Sequence, residues 1–67
     1  MIKFPERLKG LRLEKGLTQA QLGNAVNVHQ TSVKDWETSR YRPSYEMLER
    51  LAEYFNVSAG YLLGMEN

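Results

Sequence analysis

Helix-breaking and helix-capping residues recur so often in this 67-residue chain that no element can run long. Gly16, Asn27, Pro43 and Gly64 each fall where a run of helically spaced apolar residues gives out. Thr18, Ser44 and Ser58 each stand just before the next run. Glycine and asparagine accept the left-handed backbone that ends helices, and proline cannot continue one. A Ser or Thr hydroxyl takes up a free N–H at a helix start. No stretch alternates apolar and polar residues as a half-buried strand does. The pattern predicts an all-α chain of five short helices around one core.

The apolar positions say which faces turn inward. Phe4, Leu8 and Leu11 recur at helical spacing, with Pro5 in a first turn where its missing N–H is not needed. Thr18 to Gln21 reads as a capping box, in which the Thr18 hydroxyl takes the Gln21 N–H and the Gln21 side chain reaches back. The helix it opens is expected to bury Leu22, Ala25 and Val26 and to end at Asn27. Met47, Leu48, Leu51, Ala52 and Phe55 form the clearest apolar stripe, and a last short helix carries Tyr61, Leu62 and Leu63. Tyr41, Tyr45 and Tyr61 are expected to pack half-buried.

Size allows one domain over residues 1–67. A domain this small buries only about 60% of the surface that its unfolded chain exposes, so its stability is modest. With 42% hydrophobic and 25% charged residues the composition is that of a folded chain. The N-terminal stretch is too charged for a signal peptide, and no apolar run approaches the roughly 20 residues that span a bilayer. A cytoplasmic protein without membrane contact is the expectation, and the lack of cysteine suits a reducing compartment. No enzyme, cofactor or metal is expected. Ser39, Ser44 and Ser58 read as turn or cap residues without a base and acid beside them. Glu46, Glu49 and Glu53 read as a solvated helix face. His29, the single histidine, has no His or Cys partner to share a metal.

The third helix is the anomaly. Across Gln30, Thr31, Ser32, Val33, Lys34, Asp35 and Trp36 only Val33 and Trp36 suit a core, and the rest donate or accept hydrogen bonds. A helix this polar gains little from docking on its own domain and must face something else. Charge adds a weak hint. Net charge is only +1, but residues 1–16 carry five Lys or Arg against two Glu, while residues 44–67 carry Arg50 against four Glu. Such lopsidedness suits a protein with one side turned to a polyanion.

From Leu17 to Trp36 the sequence resembles the helix-turn-helix of the phage repressor and Cro family, also called the xenobiotic-response-element class. The matching positions are Gln19, Leu22, Gly23, Val26, Asn27, Val28, Val33 and Trp36. Two steeply crossing helices need a small residue where they touch, which Gly23 supplies despite costing about 1 kcal/mol of helix propensity against Ala. The likeness continues through residues 42–64 as that family's fourth and fifth helices. Two positions depart from it. His29 stands where Ser or Thr usually caps the third helix, and Gly60 stands where an acidic residue is usual.

The resemblance implies a five-helix lambda-repressor-like fold with its helix-turn-helix core over about residues 18–37. It implies a sequence-specific transcriptional regulator, a repressor of Cro/C1 type, whose third helix enters the DNA major groove. Gln30 and Thr31 are then the first-turn base readers, because a Gln amide can bond adenine and a Thr methyl can touch thymine. Lys34 reaches a base or phosphate one turn later, and Ser32 is the ambiguous member of the set. Gln19 bonds a phosphate and braces Gln30. His29 neighbours a phosphate, and Arg40 and Arg42 lie along the backbone. Asp35 orients Lys34 or points to solvent. Arg12 and Glu37 match a pair that forms a largely buried salt bridge. The partner implied is double-stranded DNA with a palindromic operator, bound by a homodimer that forms at least on DNA. The dimer contact is expected at Val57, Tyr61, Leu62, Leu63 and Met65. Two alternatives keep the fold: an antitoxin that also grips an unknown protein partner, and an interaction module that no longer binds DNA. The second predicts acidic or apolar residues in place of Gln30, Thr31 and Lys34.

Overall fold

A computed structural model describes residues 3–66. Five helices follow in order: α1 (Phe4–Glu14), α2 (Gln19–Val26), α3 (Gln30–Glu37), α4 (Tyr45–Phe55) and α5 (Ala59–Leu63). Among the described residues there is no strand.

The ends of these helices are set by local chemistry. The Thr18 hydroxyl accepts from the Gln21 N–H at 3.0 Å while the Thr18 N–H donates to the Gln21 side chain at 2.8 Å, a complete capping box. Ser44 accepts from Met47 N–H and Ser58 from Tyr61 N–H. At the other ends Asn27 and Asn56 take the left-handed conformation, with φ of 64° and 56°. Gly16 and Gly64 take it at 70° and 83°. Asn56 was not marked by the pattern as a helix end. Its side chain tolerates φ > 0 for the same reason that Asn27 does.

Phe4, Leu8, Leu22, Val26, Val33, Trp36, Leu51, Ala52, Phe55 and Leu62 make the buried core. Leu11, Val28, Met47, Leu48, Tyr54 and Val57 pack partly buried against it. Four side chains differ from expectation. Ala25 is exposed, because α2 meets the core along the Leu22 and Val26 edge and Gly23 faces the following turn. Tyr41, in the loop before α4, and Tyr45, the first residue of α4, are both exposed, Tyr45 by 92%. Leu62 is 0% exposed and belongs to the core of its own chain.

Arg7 binds the ends of the chain together. Its guanidinium donates to the carbonyl of Tyr61 at 2.7 Å and to that of Glu66, and lies 4.3 Å from the centre of the Tyr61 ring. Arg50 reaches from α4 to donate 3.0 Å to the Val26 carbonyl, placing a cation on the C-terminal end of α2. No helix among the described residues is long and apolar enough to cross a membrane.

Candidate nucleic-acid interface

The angle between α2 and α3 depends on one missing side chain. A Cβ built on Gly23 would lie 2.7 Å from the Val28 carbonyl oxygen and 3.3 Å from the Gln30 nitrogen, both backbone atoms. The glycine therefore lets the turn pass directly over α2, and the Val28 N–H donates 2.8 Å back to the Gly23 carbonyl. Asn27, left-handed between them, reverses the chain.

His29 opens α3 in extended conformation, and its Nδ1 accepts from the Thr31 N–H at 3.1 Å. That bond requires a lone pair on Nδ1, so the ring proton sits on Nε2. An imidazole thus does the capping expected of Ser or Thr. The Thr31 hydroxyl also lies 2.9 Å from Nδ1.

Only Val33 and Trp36 of α3 are fully buried. Gln30, Thr31 and Lys34 are exposed on the opposite side, and Ser32 and Asp35 are intermediate. At the C-terminal end Ser39 adopts φ of 65°, and the N–H groups of Arg40 and Tyr41 both donate to the Asp35 carbonyl, at 2.9 and 3.3 Å. This reversal leaves Arg40 and Arg42 exposed in the following loop, and the Arg40 guanidinium lies 5.7 Å from the Tyr41 ring. The exposed donors and cations of the region thus come from the first turns of α3 and from the loop after it.

Behind this surface lies a polar knot. Glu37 Oε2 accepts from Arg12 Nε at 2.7 Å, and Oε1 accepts from Arg12 Nη2 at 3.0 Å. The two side chains are 9% and 3% exposed. Arg12 Nη1 donates to the Leu17 carbonyl at 2.7 Å, immediately before the α2 cap. The hydrogen bonds that Arg12 donates to Glu37 raise the Arg12 pKa above its ordinary value, outweighing the burial that opposes the charge. Gln19 enters the same knot, with Nε2 donating to Glu37 Oε1 at 3.1 Å. In this structure the Gln19 amide nitrogen is thus paired with Glu37. Nothing in the spacing of Gln19 and Glu37 signals this bond.

At the other end of the molecule, the residues expected to form a dimer contact divide. Leu62 cannot take part, being enclosed within its own chain. Met65 is exposed, and Val57, Tyr61 and Leu63 are intermediate. Among the described residues no group of His, Cys, Asp and Glu could hold a metal ion.

Comparison with known proteins gives this surface a context. Residues 8–62 match the family described as helix-turn-helix. The transcriptional activator BcrR of Enterococcus faecalis is 35% identical over 65 residues, which are 97% of this chain and 32% of BcrR. The immunity repressor protein of Bacillus phage phi105 is 34% identical over 61 residues, 91% of this chain and 42% of that repressor. The chain thus spans less than half the length of these relatives. Among solved structures, the P22 c2 repressor in complex with a synthetic operator superimposes with a TM-score of 0.88 at 32% identity, over 94% of this chain and 96% of that one.

Proposed function

The chain belongs to the helix-turn-helix family of DNA-binding transcriptional regulators, a family not of enzymes, and we propose that it reads double-stranded DNA in the major groove through α3. The observation that carries the reading is the division of α3 itself. Val33 and Trp36 anchor it while Gln30, Thr31 and Lys34 face outward, where amide, hydroxyl and ammonium groups match base edges and phosphates. Gln30 and Thr31 read bases, Lys34 reads a base or phosphate, and Ser32 lies at the margin. Gln19, His29, Arg40 and Arg42 hold the phosphates, His29 through the Nε2–H that its capping role leaves free.

Regulation by repression is supported by the phage relatives named as repressors. BcrR carries an activator's name, and this chain matches only 32% of it. A single reading helix offers too few contacts to select one site among a genome's competitors, so the protein binds a palindromic operator as a homodimer. Reading helices of the two copies would stand about 34–36 Å apart. With Leu62 enclosed, the contact surface reduces to Val57, Tyr61, Leu63 and the exposed Met65.

Selection of bound sequences from a random DNA pool tests the reading and its symmetry together. On the selected site, Gln30→Ala is expected to cost about 1–3 kcal/mol and to relax preference at one base pair. Arg42→Ala is expected to weaken all sequences alike and to lower the salt slope by about one unit. Unchanged affinity and preference in Gln30→Ala would remove α3 as the reading helix. An isolated half-site bound as tightly as the palindrome would remove the dimer.

A further inference from the structure

Glu37 closes α3, yet its carboxylate faces away from the reading surface into the knot with Arg12 and Gln19. Through it the last turn of α1, the first residue of α2 and the last residue of α3 share one acceptor group. Arg12 accounts for two of the three bonds on Glu37. The third, from Gln19 at 3.1 Å, joins it to a residue that is only half-buried.

A glutamine amide has two ends of nearly equal shape, one that only donates and one that only accepts. On an open surface it turns over freely and presents either. Glu37, as a carboxylate, only accepts, so the nitrogen of Gln19 must face it. Each amide nitrogen carries two hydrogens in one plane, about 120° apart, and Glu37 takes one of them. The other is left unspent. A phosphate needs donors, so an amide held this way already presents its donating end and has no need to turn over. The Glu37 charge does not repel the phosphate either, since the bidentate Arg12 neutralises it.

We propose that Glu37 is a positioning residue for DNA binding, fixing the Gln19 amide nitrogen inward so that its second N–H is the donor that takes a backbone phosphate. This rests on the assignment of Gln19 to a phosphate. Because Glu37 is also the last residue of α3, the same bond sets the distance between that phosphate donor and the base readers one helix away.

The experiment compares three proteins on the selected operator across a range of salt concentrations, with thermal melts as the control for folding. The first is Gln19→Ala. The second is Arg12→Met with Glu37→Met, which removes the acceptor and leaves no unpaired buried charge. The third is Arg12→Met with Glu37→Gln, whose amide can turn its oxygen to Gln19 and so offer an acceptor at the same place. Gln19→Ala and the double-methionine protein are each expected to bind about tenfold more weakly. The salt slope and base preference should not change, because a neutral donor releases no counterion. Adding Gln19→Ala to the double-methionine protein should cost nothing more, and the Glu37→Gln version should recover most of the loss. A purely structural role for Glu37 would instead tilt α3, relax base preference and lower the salt slope.

Double-methionine binding at the wild-type level, or losses that add, would overturn the role of Glu37 while leaving Gln19 on its phosphate. Wild-type binding by Gln19→Ala would overturn both, yet leave reading by α3 standing. Should the double-methionine protein not fold, the Gln19 side-chain amide protons of the wild-type protein give the answer by NMR. Operator should shift one of the pair and leave its mate, held by Glu37, in place; a shift in neither, or equal shifts in both, would overturn the proposal.

Discussion

Removing the Glu37 carboxylate strands the Arg12 guanidinium beneath the surface. The Arg12 side chain is 9% exposed, its Nε and Nη2 lose their acceptors, and the Leu17 carbonyl alone remains to it. Breaking a buried pair from one side costs about 3–5 kcal/mol, because the surviving charge is desolvated without compensation. A chain of this length has a total stability of about 3–10 kcal/mol, so Glu37→Ala consumes a large share of it. At about 4–8 °C per kcal/mol for a domain of this size, the melting temperature should fall by at least 12 °C or so. Arg12→Ala should do similar harm from the other side, leaving the Glu37 side chain, 3% exposed, with Gln19 as its one remaining donor. Replacing both residues by Met should restore most of the loss, since two apolar side chains of similar length need no partner. The assay is a set of thermal and urea melts of the four proteins. Arg12 has a raised pKa, so its contribution is complete at every pH below the ordinary value and is lost only as pH climbs through the raised one. The Glu37→Ala deficit should accordingly not shrink on the Arg12 side in titrations up to about pH 10. Shifts below about 5 °C in both single variants would reduce the pair to the 0–1 kcal/mol of an exposed salt bridge and refute the reasoning.

Two further expectations follow from the helix-turn-helix itself. Gly23→Val places atoms where the Val28 carbonyl lies 2.7 Å from the Cβ position, so it should cost at least about 2 kcal/mol in a urea melt and abolish operator binding. Stability and binding close to wild type would mean that α2 and α3 slide apart freely. His29→Ala deletes the acceptor for the Thr31 N–H and should cost about 1 kcal/mol, while His29→Ser should keep the cap. Equal stability of all three proteins in urea would show that the imidazole is not capping α3.

The elements were legible because their ends are marked locally. The Thr18–Gln21 capping box, the Ser44 and Ser58 caps and the left-handed Asn27 and Gly64 each involve atoms a few residues apart, and a short window of sequence contains both partners. Periodicity served where helices are long enough to repeat. It picked out Leu51, Ala52 and Phe55 in α4, an element of 11 residues, but not which leucine of the five-residue α5 turns inward. Leu62 and Leu63 look alike there, and only packing separates them. Ala25 is a similar case, since its single methyl is small enough to sit on either face of α2. The polar contacts between elements lie further from view. Arg7 reaches Tyr61 across 54 positions and Arg50 reaches Val26 across 24, and long flexible side chains leave no periodic trace of where they end. Arg12 and Glu37, 25 positions apart, were paired by family likeness rather than by spacing. Gln19 shows what this leaves out. Its likeness to other family members implies a phosphate contact, but its 3.1 Å bond to Glu37 appears only once α1, α2 and α3 are packed. Local signals thus determine which helices form, whereas the contacts that hold α3 against α1 and α2, at Gly23 and in the knot of Arg12, Glu37 and Gln19, arise only once the helices pack.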